Sequence, residues 1–186
     1  MKLGRDIRAE GSGKTGGYNT FVVTRSRWTA IGVGLFDAFK GFAVAFAAWQ
    51  FFPESPHVQG ASIIGALLGH NYPAWLRFKG GRGLATVAGA LSALGQFLLI
   101  FWCLAWTVSF VMMKSIGKSN LAATVTSLIA VWILPNYVLG WFMIRDVGLS
   151  YFVNLLSAIL VLLLVSHSDE VRDLFPSRAE KGNQES

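Results

Sequence analysis

The chain has 186 residues, 53% of them apolar and only 14% charged, with a net charge of +6. An average soluble domain carries roughly 25% charged residues, so this composition argues against one, and the length allows a single domain. The lone cysteine, Cys103, excludes an intrachain disulfide framework and a cysteine-based zinc site.

Residues 1–27 are polar and hold Lys2, Arg5, Arg8, Lys14, Arg25 and Arg27. They lack the early apolar stretch of a secretory signal and read as a cytoplasmic lead-in, partly loop, rich in glycine. Trp28 to Phe52 is apolar except for Asp37, Lys40 and Gln50, and is long enough to cross a bilayer. Asp37 and Lys40, spaced i, i+3, share one helix face. A short turn, Pro53 to His57, precedes a shorter apolar helix, Val58 to Leu76, that breaks near Pro73. Leu84 to Met113 is too long for one span, and Gly95-Gln96 divides it into helices 84–95 and 97–113. Lys114 to Asn120 reads as a polar loop. Leu121 to Ile144 is the next span, kinked at Pro135, and Arg145-Asp146 a brief turn. Leu149 to Val165 is the last span. The tail 166–186 is polar, with an amphipathic turn around Val171, Leu174 and Phe175.

The expected fold is an all-α integral membrane protein: a polytopic bundle of about six segments over 28–165, one or two of them short, in one domain spanning 1–186. With the N-terminus in the cytoplasm, loops 77–82 and 114–118 and the tail also fall inside. Of the 16 Lys and Arg, only Arg145 is then outside, and Lys40 is within a span.

Three stretches carry polar chemistry. Gly11 to Asn19 (Gly-Ser-Gly-Lys-Thr-Gly-Gly-Tyr-Asn) looks at first like a nucleotide P-loop, but Arg8 stands where that pattern needs glycine, and Met1 to Ala9 is a poor strand. A loop offering backbone N–H groups and the Ser12 hydroxyl to a phosphate fits better than that or a plain linker. Asp37 and Lys40-Gly41 put opposite charges inside a span, either as a structural ion pair or as a substrate contact. Gly69 to Thr86 holds His70, Arg77, Lys79 and Arg82 among Gly80, Gly81 and Gly83. Such a segment cannot be exposed to lipid, because its backbone polar groups would be unsatisfied. Either it is a tight membrane turn with a topogenic arginine, or its freed N–H groups and cations hold an anion at a membrane face. His70 and His167 are the neutral-pH proton-transfer candidates near it, and His57 falls at the opposite face.

Taken together, Gly-Ser-Gly with Asn19, then Asp37-x-x-Lys40-Gly41, then Gly69-His70-x-x-Pro73 through Phe78-x-Gly80-Gly81-x-Gly83-x-Ala85-Thr86, resemble the bacterial membrane glycerol-3-phosphate acyltransferases that use acyl phosphate as donor. The family's first-motif arginine corresponds to Val22 here, with Arg25 one helical turn away. Arg82 stands for the lysine of Gly-Gly-Lys-Gly. The family's serine-rich motif aligns with Lys114 to Asn120, its two serines at Gly117 and Asn120, with Ser115 and Ser119 beside them. The tail motif keeps His167 but shows Ser166 and Glu170 in place of arginine and asparagine. Members usually carry one further membrane helix ahead of the first motif, which an upstream start would supply.

The resemblance implies transfer of an acyl group from acyl phosphate to glycerol 3-phosphate, giving lysophosphatidate and phosphate, without cofactor or metal. It implies a monomer in the inner (plasma) membrane, multi-pass among membrane lipid, with both termini cytoplasmic and no nucleic-acid partner. The implied catalytic residues are His167, Arg82 and Ser12. The implied substrate contacts are Gly13, Asn19, Arg25, Lys40, His70, Gly80, Gly81, Gly83, Thr86, Lys114 and Ser119. A divergent relative that has lost or altered this reaction is the alternative within the fold. A small membrane transporter also fits charges within a span, but no inverted repeat is visible.

Overall fold

A computed structural model describes residues 6–94, 96–141 and 148–174. Nine α-helices occur among them: α1 (Gly17–Thr24), α2 (Arg27–Phe51), α3 (Pro56–Asn71), α4 (Leu84–Leu94), α5 (Gln96–Met113), α6 (Ile116–Ile133), α7 (Asn136–Trp141), α8 (Leu149–Ser166) and α9 (Ser168–Leu174). Single 3-10 turns occupy Ile7–Ala9 and Ala74–Leu76. Helices α2, α6 and α8 are long and apolar enough to cross a membrane, and α4 and α5 contribute shorter apolar helices.

Local chemistry explains most of the boundaries. The Ser26 side chain accepts the Thr29 N–H (3.3 Å) and starts α2. Pro56 occupies the first turn of α3, where its missing N–H costs nothing. The Gln59 side chain donates to the carbonyls of Phe52 (2.8 Å) and Pro53 (3.2 Å), tying that turn down.

Within the lead-in, α1 folds and packs on α2. Two expectations need correction. Lys114 to Asn120 is not a loop: α6 begins at Ile116, with the Ser119 hydroxyl donating back to the Ser115 carbonyl (2.6 Å) and the Asn120 amide engaged by Trp106. The span expected over 121–144 is interrupted, not just kinked. Leu134, ahead of Pro135, is extended at ψ 139°, as the proline ring demands of its predecessor, and α7 starts anew at Asn136. Helix α3 stops at Asn71, just ahead of Pro73. The expected turn at Arg145-Asp146, the division at Gly95 and the tail beyond Leu174 lie outside the described residues.

The core runs along the inner faces of α3, α4 and α8, where Ile63, Leu67, Ala90, Ile159 and Leu163 are buried. The outer face of α2 carries exposed Trp28, Phe36 and Phe39, as a lipid-facing surface requires. Packing between α2 and α4 is the most extensive in the bundle. It depends on missing side chains: a Cβ at Gly41 would strike the Thr86 carbonyl, and one at Gly89 the Ala38 carbonyl. The two backbones therefore touch directly, the close approach that small residues permit between membrane helices.

Candidate active site

Residues from both ends of the sequence meet at one end of the bundle. The loop before α1 is held there by Asn19. Its side-chain oxygen accepts the Ser12 N–H (2.9 Å), and its amide nitrogen donates to the carbonyls of Ile7 (2.8 Å), Glu10 (3.2 Å) and Lys14 (2.9 Å). A Cβ at Gly11 would collide with that amide oxygen, and Gly11 has a φ of 60° open to glycine at little cost. The Thr15 N–H donates to the Gly80 carbonyl (3.3 Å), joining this loop to the basic one.

The basic loop turns over the end of α3. Gly80 N–H donates to Asn71 O (3.1 Å) and Gly81 N–H to His70 O (3.2 Å), satisfying carbonyls that the helix end leaves open. Side chains at either glycine would enter His70 or the Asn71 carbonyl. Gly83 then adopts φ 84°, and α4 begins at the next residue.

Between these loops lies a cavity of about 460 Å³. The first loop and α1 contribute Ser12, Lys14 and Gly16 through Asn19. Asp37 comes from α2, His70 from α3 and Asn120 from α6, and the start of α4 adds Arg82 through Ala85. Two helix N-termini thus open on one space. No side chain caps α1, and the first intrahelical bonds are Thr20 N–H to Gly16 O (3.0 Å) and Val87 N–H to Gly83 O (2.9 Å). The preceding N–H groups, the positive ends of both helix dipoles, the Lys14 ammonium and the Arg82 guanidinium make the space suited to an anion. Beside it, an apolar cavity of about 240 Å³ runs between α4, α5 and α8, lined by Leu91, Leu98, Trp102, Cys103 and Leu163. Leu84 and Ala85 line both cavities.

A family model described as glycerol-3-phosphate acyltransferase matches residues 1–177. This chain belongs to that acyltransferase family. It is 29% identical over 178 residues to a glycerol-3-phosphate acyltransferase of Wolbachia pipientis subsp. Culex pipiens, covering 96% of this chain and 85% of that one. With the glycerol-3-phosphate acyltransferase of Staphylococcus haemolyticus it shares 31% identity over 184 residues, covering 95% and 84% of the two chains. The fold is similar to the crystal structure of PlsY (YgiH), described as an integral membrane glycerol 3-phosphate acyltransferase in its glycerol 3-phosphate form. The TM-score is 0.76 at 24% identity, over 92% of this chain and 79% of that chain.

Within this acyltransferase, Ser12, Asn19, His70, Arg82 and Gly83 do converge on the polar cavity. Several of the sequence candidates have partners within the protein or lie away from the cavity. Gly13, Gly80 and Gly81 give their N–H groups to carbonyls of the protein, Gly13 to Glu10 O (3.1 Å), which shapes the two loops. Asn19 is 2% exposed and its amide is used up inside the loop. Ser119 is buried with its hydroxyl bonded to Ser115. Thr86 is buried against Gly41. Arg25 and Lys114 are exposed and do not line the cavity. Lys40 also lies off it. Asp37 Oδ1 holds Lys40 Nζ at 2.8 Å and His70 Nδ1 at 3.4 Å, so the pair in α2 is an ion pair that fixes His70.

His167, one residue past α8, is fully buried and does not line the cavity. Its Nδ1–H donates to Leu163 O (2.7 Å), and Ser166 beside it donates to Arg82 O (2.8 Å). Burial pushes the His167 pKa below its ordinary 6.5. The folded state therefore binds its proton less readily than the unfolded chain. The contribution of His167 to stability is complete above pH 6.5 and should fall, by at most about 1.4 kcal/mol per pH unit, as the pH drops through that value. Unfolding midpoints between pH 8 and 5 should show this slope, and His167→Asn, which keeps a donor toward Leu163, should flatten it.

The sequence places Asn120 and Glu170 at altered motif positions but assigns no site role to them, to Lys14 or to Asp169. Asn120 Oδ1 accepts from Trp106 Nε1 (2.7 Å), which turns the amide nitrogen away from the indole. Arg82 Nη2 lies 2.7 Å from both Asp169 Oδ2 and Glu170 Oε1. Burial disfavours the Asp169 carboxylate, but Arg82 more than offsets this and holds its pKa below the usual carboxylate value. The available signal for Glu170 was its place three residues after His167 in the tail motif.

Proposed function

We propose that this acyltransferase moves a fatty acyl group from acyl phosphate to glycerol 3-phosphate, giving lysophosphatidate and inorganic phosphate. The observation that carries the reading is the meeting of an anion-suited cavity with an apolar one across the first turn of α4, at Leu84 and Ala85. The head group and both phosphates belong in the first, the acyl chain in the second.

The chemistry asks the protein for placement and charge. An acyl phosphate is an activated mixed anhydride, so no covalent enzyme intermediate is required. The acceptor hydroxyl attacks the acyl carbonyl, the carbonyl–phosphate bond breaks, and phosphate leaves with the electron pair. Two anionic substrates repel, and the site holds them together with Lys14, Arg82 and the N–H groups that open α1 and α4. The Ser12 hydroxyl, which makes no bond among the described residues, is placed to meet the glycerol end. His167 is too enclosed to serve as base, and His70 is engaged by Asp37. We therefore assign the hydroxyl proton to a phosphate oxygen of the substrate itself. Every proposed group comes from one chain, so a monomer suffices. The charge asymmetry of the loops supports an inner-membrane protein with its site on the cytoplasmic side.

The deciding assay mixes detergent-purified protein with acyl phosphate and labelled glycerol 3-phosphate and follows lysophosphatidate. Product should form, and should vanish when acyl-CoA or acyl carrier protein replaces the donor. Absence of product with every donor, combined with substrate flux in liposomes, would point to transport instead. The apolar cavity makes a separate prediction. Ala88 lines it, and Ala88→Trp should shift donor preference toward shorter chains, lowering kcat/KM for a 16-carbon acyl phosphate about tenfold while sparing an 8-carbon one.

A further inference from the structure

We propose that Asp169 and Glu170 on α9 act as an internal stand-in for substrate phosphate at Arg82, and that substrate must displace them to be gripped. The inference rests on reading the polar cavity as a phosphate site.

The geometry favours displacement over simple anchorage. A carboxylate that fixes an arginine ordinarily takes two parallel N–H groups, one oxygen on each. Here two carboxylates crowd one nitrogen, Nη2, each at 2.7 Å. Among the described residues, buried Nε has no hydrogen-bond partner, and neither has Oδ1 of Asp169. One carboxylate would be enough to orient the guanidinium. Among the described residues, the second carries the local balance from neutral to negative, and Lys14 restores it only to zero. A phosphate approaching Arg82 therefore meets two negative groups already in possession, and their repulsion opposes its binding.

The stand-in has a seat of its own. The Glu170 carboxylate lies against Gly117 in the first turn of α6, where any Cβ would strike it. Helix α9 follows α8 after the single residue His167 and packs on α6 and α8. The acidic pair is thus delivered by a short helix attached at one end, not by the bundle that builds the cavity.

The two roles predict opposite signs. If the carboxylates served only to position Arg82, neutralising them would loosen it and raise the glycerol 3-phosphate KM. If they compete with substrate, neutralising them tightens anion binding. Glu170→Gln keeps the shape and removes one charge. It should lower the inorganic phosphate concentration that half-protects the full chain against thermal unfolding, on the order of fivefold, since the pair is only partly shielded from water. The glycerol 3-phosphate KM should fall alongside. Asp169→Asn should act in the same direction and the double variant further. Arg82→Gln with Glu170→Gln should show no gain, because the gain passes through Arg82. Unchanged or weaker phosphate binding in a folded Glu170→Gln protein would overturn the proposal. If that variant does not fold, Asp169→Asn, whose side chain is 41% exposed, decides by the same criterion. If wild type makes no lysophosphatidate but Glu170→Gln still shows the phosphate shift, the acyl-transfer reading sinks and this one stands.

Discussion

Arg82→Ala should lower acyl transfer about 100-fold, the scale seen when one preorganised donor to a developing anion is removed. The guanidinium lines the polar cavity at the mouth of α4 and is one of two cations there, with Lys14. Its removal also strands Asp169 and Glu170 in a partly buried corner, leaving two carboxylates facing each other across an empty space. A loss of thermal stability should accompany the loss of rate, and the two need separating. Arg82→Ala combined with Glu170→Gln relieves the repulsion, so its unfolding midpoint should recover while its rate stays low. Arg82→Lys keeps the charge but not the fork of donors, and should fall between wild type and alanine. Single-turnover rates beside unfolding midpoints in the same detergent check all three. A wild-type rate in folded Arg82→Ala would remove this residue from the reaction.

Gly83→Val should be the most damaging single change to the fold. Gly83 has φ 84°, and a Cβ there would meet Leu67 in the core and the Asn71 amide. The left-handed backbone costs a branched residue about 1–2 kcal/mol, and forcing atoms into a packed contact adds about 1–3 kcal/mol. Because Gly83 is the hinge between the basic loop and α4, relaxation would move the leading N–H groups of that helix, so activity should be lost with stability. Gly83→Ala meets the same two neighbours with a smaller group and should cost less. Thermal unfolding with retained ligand protection as a second readout distinguishes a bent site from an unfolded chain.

The apolar runs and their punctuation were legible in the sequence because they answer to local rules. Lipid needs length and low charge, proline dictates the conformation of the residue before it, and glycine permits turns. The convergence of the first loop and Arg82 was legible through motif order. The use made of the glycines was not. Gly80 and Gly81 look alike whether their N–H groups face a phosphate or the end of a helix, and only the position of α3 decides. Asn19 similarly offers an amide whose partners lie 5, 9 and 12 residues back along the chain. The pairing of Arg82 with Asp169 spans 87 residues and leaves no periodic trace. Residue type and the tail motif mark His167 as a candidate base, but its burial depends on how α8 packs, which composition does not encode.

The bare contact between α2 and α4 has a mechanical consequence. With carbonyls seated on Gly41 and Gly89, neither helix can slide or roll without a backbone collision, so the pair behaves as a single stiff plate. Asp37 and the Leu84–Ala85 wall both belong to that plate, which fixes their spacing across the cavity. Any give at the site is then left to elements outside the plate, above all the short α9, which joins α8 through His167 alone.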